Sequence, residues 1–308
     1  MMRKRILALL TVCTVFISIF AVNMDTDASN EDRIPILIYH DIRDDYDGDN
    51  PIVLDTDTFK EGLLYLKALN YNAISFDDYL EYKNGLKELP ENPVILTFDD
   101  GYYSNYSIAF PILKKLDMKA SFGIIGWSVG KDTQVIGNSP IIKHFSWEEA
   151  KEMEESGLIT IESHSYDLHN VGNRRNESNG VIGLYWEKEE DIKDRIVNDD
   201  FMIQKEIYDN LGHTSKVFTY PFGRRTDFTD KIYSELGYEF TLGTDNGISD
   251  LSKERSNIKR INSYNHDARE FIKNMLREEK KSEVLPFEEI QDQQTRIQLL
   301  EDMTGIDL

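Results

Sequence analysis

The chain contains one cysteine, Cys13, among its 308 residues. A single thiol cannot close an internal disulfide, which excludes a disulfide-rich scaffold and a cysteine-rich metal site. Cys13 lies inside the apolar segment near the N-terminus, and we interpret it as part of that segment. Any metal ion would therefore be bound by histidine, aspartate or glutamate side chains.

Basic residues are also scarce relative to acidic ones. The chain has 35 lysines and arginines against 56 aspartates and glutamates, a formal charge of −21 at pH 7. Because such a chain would be repelled by phosphate backbones, we exclude nucleic acid as a partner. The composition, 40% hydrophobic and 11% aromatic, is typical of a folded globular protein. The length suits one large α/β domain or two small ones.

A long apolar run occurs near the N-terminus, over residues 6–22, and it follows a basic stretch at residues 3–5. This order is typical of an export signal, and residues 26–28 have the small-x-small pattern of a cleavage site. The run is close to the lower limit of about 17 to 25 residues for a membrane span. We therefore expect residues 1–28 to be a signal peptide or an uncleaved membrane anchor, and the protein to be secreted or attached to the cell surface.

After this segment, short apolar runs alternate with segments of helical periodicity up to about residue 260. The spacing predicts strands over 34–39, 94–98, 120–125, 158–162 and 217–220, and helices over 58–69, 104–116, 146–157 and 189–211. Ser146 and Glu149 have the spacing of a capping box, and Pro111 is expected to kink its helix. This alternation predicts an α/β fold, a TIM-like barrel of parallel strands in a single catalytic domain.

Polar residues follow three of the predicted strands directly. They form the segments 99–101, 163–169 and 221–223, and they include Asp99, Asp100, His164 and His169. Because the C-terminal ends of parallel barrel strands face one common opening, we expect these side chains to converge. Two histidines and a carboxylate suit a divalent transition metal with open positions for water and substrate.

Each of these features also has an ordinary structural explanation. Adjacent aspartates before a glycine are common in turns, and an isolated histidine is usually structural or solvated. We give the latter interpretation to His40, His144, His213 and His266. Asp167 fits either a third ligand or a residue that orients one. Aromatic residues near the site more often pack than bind sugar; these are Tyr102, Tyr103 and Trp127.

Residues 93–102 (PVILTFDDGY), 164–169 (HSYDLH) and 220–223 (YPFG) resemble the first three motifs of the polysaccharide deacetylases, carbohydrate esterase family 4, which share the NodB-homology domain. The resemblance extends over about residues 34–261. It implies a deformed (β/α)7 barrel, which we place at residues 29–268, followed by a helical tail at 269–308. The five-residue step between the histidines resembles the branch that acts on poly-β-1,6-N-acetylglucosamine.

Residue by residue, the resemblance implies that Asp100, His164 and His169 bind a divalent metal, most often zinc, with cobalt, nickel or iron as alternatives. It implies that Asp99 is the general base and that the backbone N–H of Phe222 binds the oxyanion. A bound zinc ion lowers the pKa of water to about 7. A carboxylate base can then remove the proton of this water far more easily than the proton of free water. We expect substrate contacts from Tyr102, Tyr220 and Pro221, and from Arg174 and Trp186 in the long polar connection after His169.

The sequence departs from the family pattern at two functional positions. Many members have an arginine that tethers the base where this chain has Thr219. No clear motif supplies the general acid, and His266 is the histidine nearest to the position where the family has one.

These observations leave three hypotheses open. The first is a monomeric, metal-dependent hydrolase that removes N-acetyl groups from an N-acetylglucosamine polymer, which would be poly-β-1,6-linked, peptidoglycan or chitin-like. The second is a catalytically weak or inactive polysaccharide-binding protein that keeps the fold but lacks the acid. The third is a metal-dependent phosphoesterase, although the sequence does not supply the usual lysine and arginine clamp.

Overall fold

The computed structural model describes residues 32–46, 48–133, 141–169, 180–184, 186–263 and 268–279, together with 298 and 305. The chain divides into residues 1–33 and a compact unit of residues 34–308. The expected leader, residues 1–28 with Cys13, lies outside the described residues. Among the described helices, none has the length and apolar character needed to cross a membrane.

Strands make up the centre of the compact unit. In chain order they are β1 (Ile36–Tyr39), β2 (Asp41–Arg43), β3 (Val53–Asp55), β4 (Asn72–Ala73), β5 (Pro93–Asp100), β6 (Ala120–Ile124), β7 (Asp132–Thr133), β8 (Ile142–Lys143), β9 (Ile159–Ser163), β10 (Val217–Thr219), β11 (Phe240–Leu242) and β12 (Ile261–Asn262). Neighbouring strands of the main sheet follow the order β11-β10-β9-β6-β5-β1-β12, and all of these pairs are parallel. β4 pairs with the start of β5.

The residues that lead into β12 join the two edges of this sheet. Ile258 forms a parallel bridge with Leu242 of β11: its N–H donates to Thr241 at 2.8 Å, and its carbonyl accepts from Gly243 at 2.9 Å. Three residues later, Ile261 pairs with Leu37 of β1. The seven parallel strands of the described chain thus close on themselves, which confirms the predicted deformed (β/α)7 barrel.

Helices surround the strands. They are α1 (Thr56–Ala68), α2 (Phe76–Lys83), α3 (Phe110–Leu116), α4 (Trp147–Glu155), α5 (Glu189–Leu211), α6 (Asp227–Glu235) and α7 (Ala268–Glu278). The predicted capping box is present at α4, where the Glu149 N–H donates to Ser146 Oγ at 3.2 Å and the Ser146 N–H donates to Glu149 Oε2 at 2.7 Å. Near Pro111 the chain forms a π-helical turn, Asn105–Ala109, before α3 begins.

The strand alternation determines which side chains reach the site. Phe98 packs in the core between the strands and the surrounding helices, with ring centroids 5.0 Å from Tyr39 and 4.7 Å from Phe122. Because successive strand residues point to opposite faces, Asp99 points into the barrel. β5 therefore presents a buried carboxylate on its inner face at its C-terminal end.

The C-terminal segment contributes to the same core. Phe271, Ile272 and Met275 of α7 are buried in the cluster that also contains α1 residues. The predicted start of the tail at residue 269 falls in the first turn of α7, so this helix belongs to the packing of the barrel. The rest of the predicted helical tail, residues 280–308, lies outside the described residues apart from residues 298 and 305.

Candidate active site

Asp100, His164 and His169 lie together at the C-terminal ends of β5 and β9. The Oδ1 atom of Asp100 is 3.3 Å from Nε2 of His164 and 3.2 Å from Nε2 of His169. One potential ligand atom from each residue lies within 4.8 Å of the other two. Asp100 and His164 are buried, and the His169 side chain is 20% exposed. The strand-end argument predicted this convergence.

The backbone is in the left-handed region at three strand ends around this group. Asp100, Ser165 and Phe222 have φ values of 77°, 74° and 59°. Such conformations are unfavourable for residues with a Cβ and concentrate at functional sites. At Asp100 the turn changes the direction in which the carboxylate leaves the strand. Gly101 also has a positive φ, and a Cβ there would lie 3.2 Å from Ile124.

The orientation of His164 is fixed by a backbone carbonyl. Its Nδ1 donates to the oxygen of Thr219 at 2.8 Å, so the other nitrogen, Nε2, faces Asp100 and can bind a metal ion once it is unprotonated. A ligating histidine in proteins is usually held in this way through its second nitrogen. The motif resemblance led us to expect an arginine where Thr219 stands, and here the main chain of Thr219 orients a ligand-type histidine.

The electrostatics of this group fit a cation. Oδ1 of Asp100 is buried, faces two histidine nitrogens and accepts no hydrogen bond of normal geometry from the described residues. Burial opposes ionisation of Asp100, but the two histidines more than offset it and hold the pKa of this carboxyl well below its usual range. A buried anionic oxygen without a donor, beside two imidazole nitrogens, is a donor set suited to a divalent transition metal.

Asp99 is tethered by an arginine that the sequence pattern did not reveal. Arg260, which is fully buried, donates from Nη1 and Nη2 to the two carboxylate oxygens of Asp99, each at 2.8 Å. Burial raises the pKa of Asp99, but the Arg260 guanidinium outweighs it, and the net pKa lies below the usual value. Arg260 therefore holds the Asp99 carboxylate in place. This is the role that the motif resemblance assigned to an arginine at position 219, where this chain has a threonine.

Two more donors of Arg260 are engaged. Nε donates to the carbonyl of Gly243 at 2.8 Å, and Nη1 also donates to Thr97 Oγ1 at 3.0 Å. Four of the five N–H donors are thus used inside the barrel and the side chain is fully buried, so it is not placed to clamp a phosphoryl group. The structure thus gives no support to the phosphoesterase hypothesis.

His40 lies in the site, although no sequence pattern distinguished it from the other isolated histidines. It follows β1, and its Nε2 is 3.8 Å from Oδ2 of Asp99. Burial lowers the pKa of His40, and the charges of Asp99 and Asp100 raise it by less, so the net pKa lies below its usual value. The signal that would have found His40 is its position directly after a barrel strand, the same rule that located the other site residues.

Tyr102 packs beside the three ligand-type residues. It is 7% exposed, and its ring stacks on that of His144 with centroids 5.8 Å apart. Burial and the nearby Asp100 carboxylate raise the pKa of the Tyr102 hydroxyl, so it stays protonated at neutral pH. Nδ1 of His144 lies 3.2 Å from the carbonyl oxygen of Asp100. This contact stabilises the turn after β5.

The third motif places Phe222 at the rim. Its ring is 39% exposed and lies 4.3 Å from the ring of His169, centroid to centroid. By contrast, Tyr220 is fully buried and donates its hydroxyl proton to Asp230 at 2.6 Å, and Pro221 is also buried. Neither side chain is exposed where a polymer would touch it, so their expected substrate contacts are not supported by this placement.

Other expected site residues lie at the periphery or outside the described chain. Trp186 is 57% exposed. Asp167 is exposed and is not part of the ligand-type group; its N–H donates to Asp199 at 2.7 Å. Arg174 and His266 lie outside the described residues, as do the other residues of 170–179.

The sequence model of the family described as polysaccharide deacetylase matches residues 86–241. The matched region is just over half of the 308 residues and contains β5, β6, β9 and β10 with the residues that follow them. This chain belongs to the polysaccharide deacetylase family. The resemblance seen in the motifs is therefore confirmed.

Individual proteins are also similar to this chain in sequence. A poly-β-1,6-N-acetyl-D-glucosamine N-deacetylase of Escherichia coli strain K12 is 24% identical over 260 residues, which cover 79% of this chain and 38% of the relative. A protein of the same name from Staphylococcus aureus strain MSSA476 is 28% identical over 186 residues, which cover 60% of this chain and 59% of the relative. The chain thus spans less than two thirds of the length of either protein.

Solved structures support the fold. A de-N-acetylase from Aggregatibacter actinomycetemcomitans superposes with a TM-score of 0.65 at 25% identity, covering 74% of this chain and 94% of that one. IcaB from Ammonifex degensii superposes with a TM-score of 0.63 at 25% identity, covering 75% and 92%. The fold of this chain is therefore shared with both solved structures.

Proposed function

We propose that this protein is a metal-dependent hydrolase that removes N-acetyl groups from an N-acetylglucosamine polymer. The observation that carries the proposal is the arrangement at the end of β5. There, Asp100 meets two histidines in a group suited to a metal, and the preceding residue, Asp99, is a buried carboxylate held in its ionised form. Family membership and the named relatives support the same reaction class.

Asp100, His164 and His169 would hold the ion, with zinc as our proposal because imidazole and carboxylate ligands suit it. A bound zinc ion lowers the pKa of water and polarises the carbonyl of the acetamide. Asp99 accepts the proton that the attacking water loses. Arg260 keeps Asp99 ionised and fixes the direction of its oxygens, which prepares the base before substrate binds.

We assign the delivery of the proton to the leaving amine to His40. The lowered pKa of His40 makes it neutral at rest, so it can take the proton from Asp99, whose Oδ2 is 3.8 Å from Nε2. That proton then passes to the amide nitrogen as the C–N bond breaks, which leaves acetate and an amine. The 3.8 Å gap is long for a hydrogen bond, and such contacts often tighten when substrate binds.

Two further groups complete the proposed site. The N–H of Phe222 would donate to the oxyanion, and the Phe222 ring beside His169 would border the acetyl group. The hypothesis of an inactive binding protein depended on the lack of an acid. Because His40 supplies a candidate beside the base, we favour the enzyme.

The substrate, the oligomeric state and the location of the protein can also be proposed. We propose that the substrate is a poly-β-1,6-linked N-acetylglucosamine polymer or a related N-acetylated polysaccharide, that the protein acts as a monomer, and that it is exported. Support for export comes from the basic and apolar segments at residues 3–22. Sequencing the N-terminus of the protein recovered outside the cells would separate a cleaved leader from an anchor.

Asp100→Asn is the direct test of the metal group. We expect it to abolish acetate release and the binding of one equivalent of zinc, because the anionic ligand is lost, while the chain still folds. The matched control is Asp167→Asn, which changes a carboxylate that lies between the two histidines in the chain but outside the ligand group; it should keep zinc binding. Unchanged zinc stoichiometry in Asp100→Asn would contradict the assignment.

A further inference from the structure

The two ligand-type histidines are held in different ways. His164 is buried, and its Nδ1 donates to the carbonyl oxygen of Thr219 at 2.8 Å. The side chain of His169 is 20% exposed, and its Nδ1 has no such partner among the described residues. A histidine that binds a metal is usually oriented through its second nitrogen. In the part of the chain that the structure describes, the position of His169 therefore depends on the backbone segment that carries it.

That segment, residues 165–168, has all four of its N–H groups bound by oxygen atoms. The first and the last of these groups donate to serine hydroxyl oxygens, at 3.3 Å and 3.2 Å. The two between them, those of Tyr166 and Asp167, donate to Oδ2 and Oδ1 of Asp199, each at 2.7 Å. The two shortest of the four hydrogen bonds thus go to one carboxylate of helix α5.

Close packing fixes the position of this carboxylate. Ile203, one turn after Asp199 in α5, is fully buried. A Cβ on Gly126, after the end of β6, would lie 2.6 Å from Ile203 Cδ1 and 2.7 Å from Tyr166 Cδ2. The helix, the end of β6 and the segment between the histidines are therefore in direct contact, and Asp199 cannot move away without disturbing this packing.

The charge of Asp199 suits the backbone that it binds. Burial raises the pKa of this carboxyl and the two N–H groups lower it, which leaves it at about 6, so the group is ionised at neutral pH. Successive N–H groups of a turn form a site for an anion, and hydrogen bonds to an ionised acceptor are stronger than neutral ones. The turn includes Ser165 at a φ of 74°, which is unfavourable for a residue with a Cβ. The carboxylate offsets this cost.

We infer that Asp199 is a positioning residue for the metal group: its carboxylate holds the backbone between the two histidines and thereby keeps His169 beside Asp100. The inference rests on the proposed function, because it gives α5 a part in binding the ion that Asp100, His164 and His169 would hold. Nε2 of His169 lies 3.2 Å from Oδ1 of Asp100, and a rotation of the segment would change this distance.

The zinc affinity of Asp199→Asn is the test. The amide keeps one oxygen for one of the two N–H groups and turns an NH2 group towards the other, so one of the two hydrogen bonds is lost. We expect the Kd for zinc, measured without substrate by competition with a chelating dye, to rise by about 10- to 100-fold, the usual effect of removing a group that orients a metal ligand.

Asp200→Asn is the matched control. Asp200 is the next residue of α5 and is also buried, but it accepts a hydrogen bond from the hydroxyl of Tyr238 at 2.6 Å. Its replacement should lower the stability of the protein and leave the Kd for zinc unchanged. An unchanged Kd in Asp199→Asn, or an equal rise in Asp200→Asn, would overturn the inference.

Amide hydrogen exchange tests the same contact without any variant. In the metal-free wild-type protein, the N–H groups of Tyr166 and Asp167 should exchange slowly, because both are bound to a buried carboxylate. Exchange of both groups at the rate of an unfolded peptide would overturn the inference, even if Asp199→Asn does not fold.

The outcomes for this inference and for the proposed function differ. Weaker zinc binding in Asp199→Asn, together with no acetate release by the wild type, would support the role of Asp199 and reject the deacetylase. Acetate release by the wild type, with the same Kd for zinc in both proteins, would support the deacetylase and reject the role of Asp199. A wild-type protein that binds no zinc would reject both.

Discussion

Arg260 and Asp99 form the interaction on which the site depends most at the level of single residues. Both side chains are buried, and they share two hydrogen bonds of 2.8 Å. The residues are 161 positions apart in the chain, so only closure of the barrel brings them together. The sequence shows an arginine at position 260, but it does not show which carboxylate that arginine will meet.

Removing this arginine should destabilise the protein strongly. Arg260→Gln leaves the Asp99 carboxylate buried without its partner, and we expect the free energy of unfolding to fall by about 3 to 5 kcal/mol in urea titrations. In the Asp99→Asn background the same change should cost much less, because no charge is then left unpaired.

The control is Arg255→Gln, whose side chain is 39% exposed and pairs with Glu239 at 3.6 Å. It should cost less than about 1 kcal/mol. An equal loss of stability from Arg260→Gln in both backgrounds would show that the two residues are not coupled.

His40 leads to a kinetic prediction. His40→Gln should lower kcat for acetate release by about 10² to 10⁴, the usual contribution of a proton-transfer residue, and should leave zinc binding intact. His213→Gln, on the far side of α4, is the matched control and should keep both. A normal kcat in His40→Gln, or loss of zinc, would contradict the assigned role.

At the scale of elements, the regular parts of the fold followed from the sequence. Helix α4 was predicted from the serine and glutamate of its capping box, and α5 from its apolar periodicity. Both signals are local, which is why they can be read without the rest of the chain. The irregular elements were not predictable in this way, because the short strands β2, β3, β7 and β8 carry too few residues to show a period.

The segment between the two ligand-type histidines shows the same limit. Asp199 of α5 accepts hydrogen bonds from the N–H groups of Tyr166 and Asp167, each at 2.7 Å, and so ties this segment to a helix. Burial raises the pKa of Asp199 to about 6. The sequence indicated that His164 and His169 flank a strand end, but not which helix supports the turn between them.

Helix α4 also gives a pH-dependent prediction. Glu154 accepts from the Ile161 N–H of β9 at 2.8 Å and contacts His213 Nε2 at 2.9 Å. The hydrogen bond to Glu154 raises the pKa of His213 above its value in the unfolded chain. The stabilisation is therefore fully present below the unfolded pKa of about 6.5 and is lost as the pH rises through the folded pKa.

Urea midpoints of the wild type and of His213→Gln test this pair. The wild type should be more stable than the variant below the unfolded pKa of about 6.5, and the difference should shrink as the pH rises through the raised folded pKa of His213. Because the His213 side chain is 40% exposed, we expect at most about 1 kcal/mol. Lys205→Gln removes a surface ion pair that contains no histidine, so it serves as the control and its effect should stay constant. A difference for His213→Gln that does not vary with pH would refute the linkage.

For the whole molecule, the order of strands and helices predicted a parallel barrel, and the structure confirms it. The metal-type group was also predictable, because all parallel strands end at one opening and three of them are followed directly by polar residues. What closes the barrel was not predictable: Ile258 and Ile261, which have only two residues between them, join its two edges. Arg260 lies between these two residues, so closure of the barrel and tethering of the base are one structural feature.

The central claim is that the group at the end of β5 makes this chain a metal-dependent deacetylase. The most direct measurement is acetate release from a poly-β-1,6-linked N-acetylglucosamine oligomer by metal-stripped protein, as zinc is added in known molar ratios. We predict no release without metal and a rise that saturates at one equivalent of zinc per chain. Acetate release that is the same with and without metal would contradict the account.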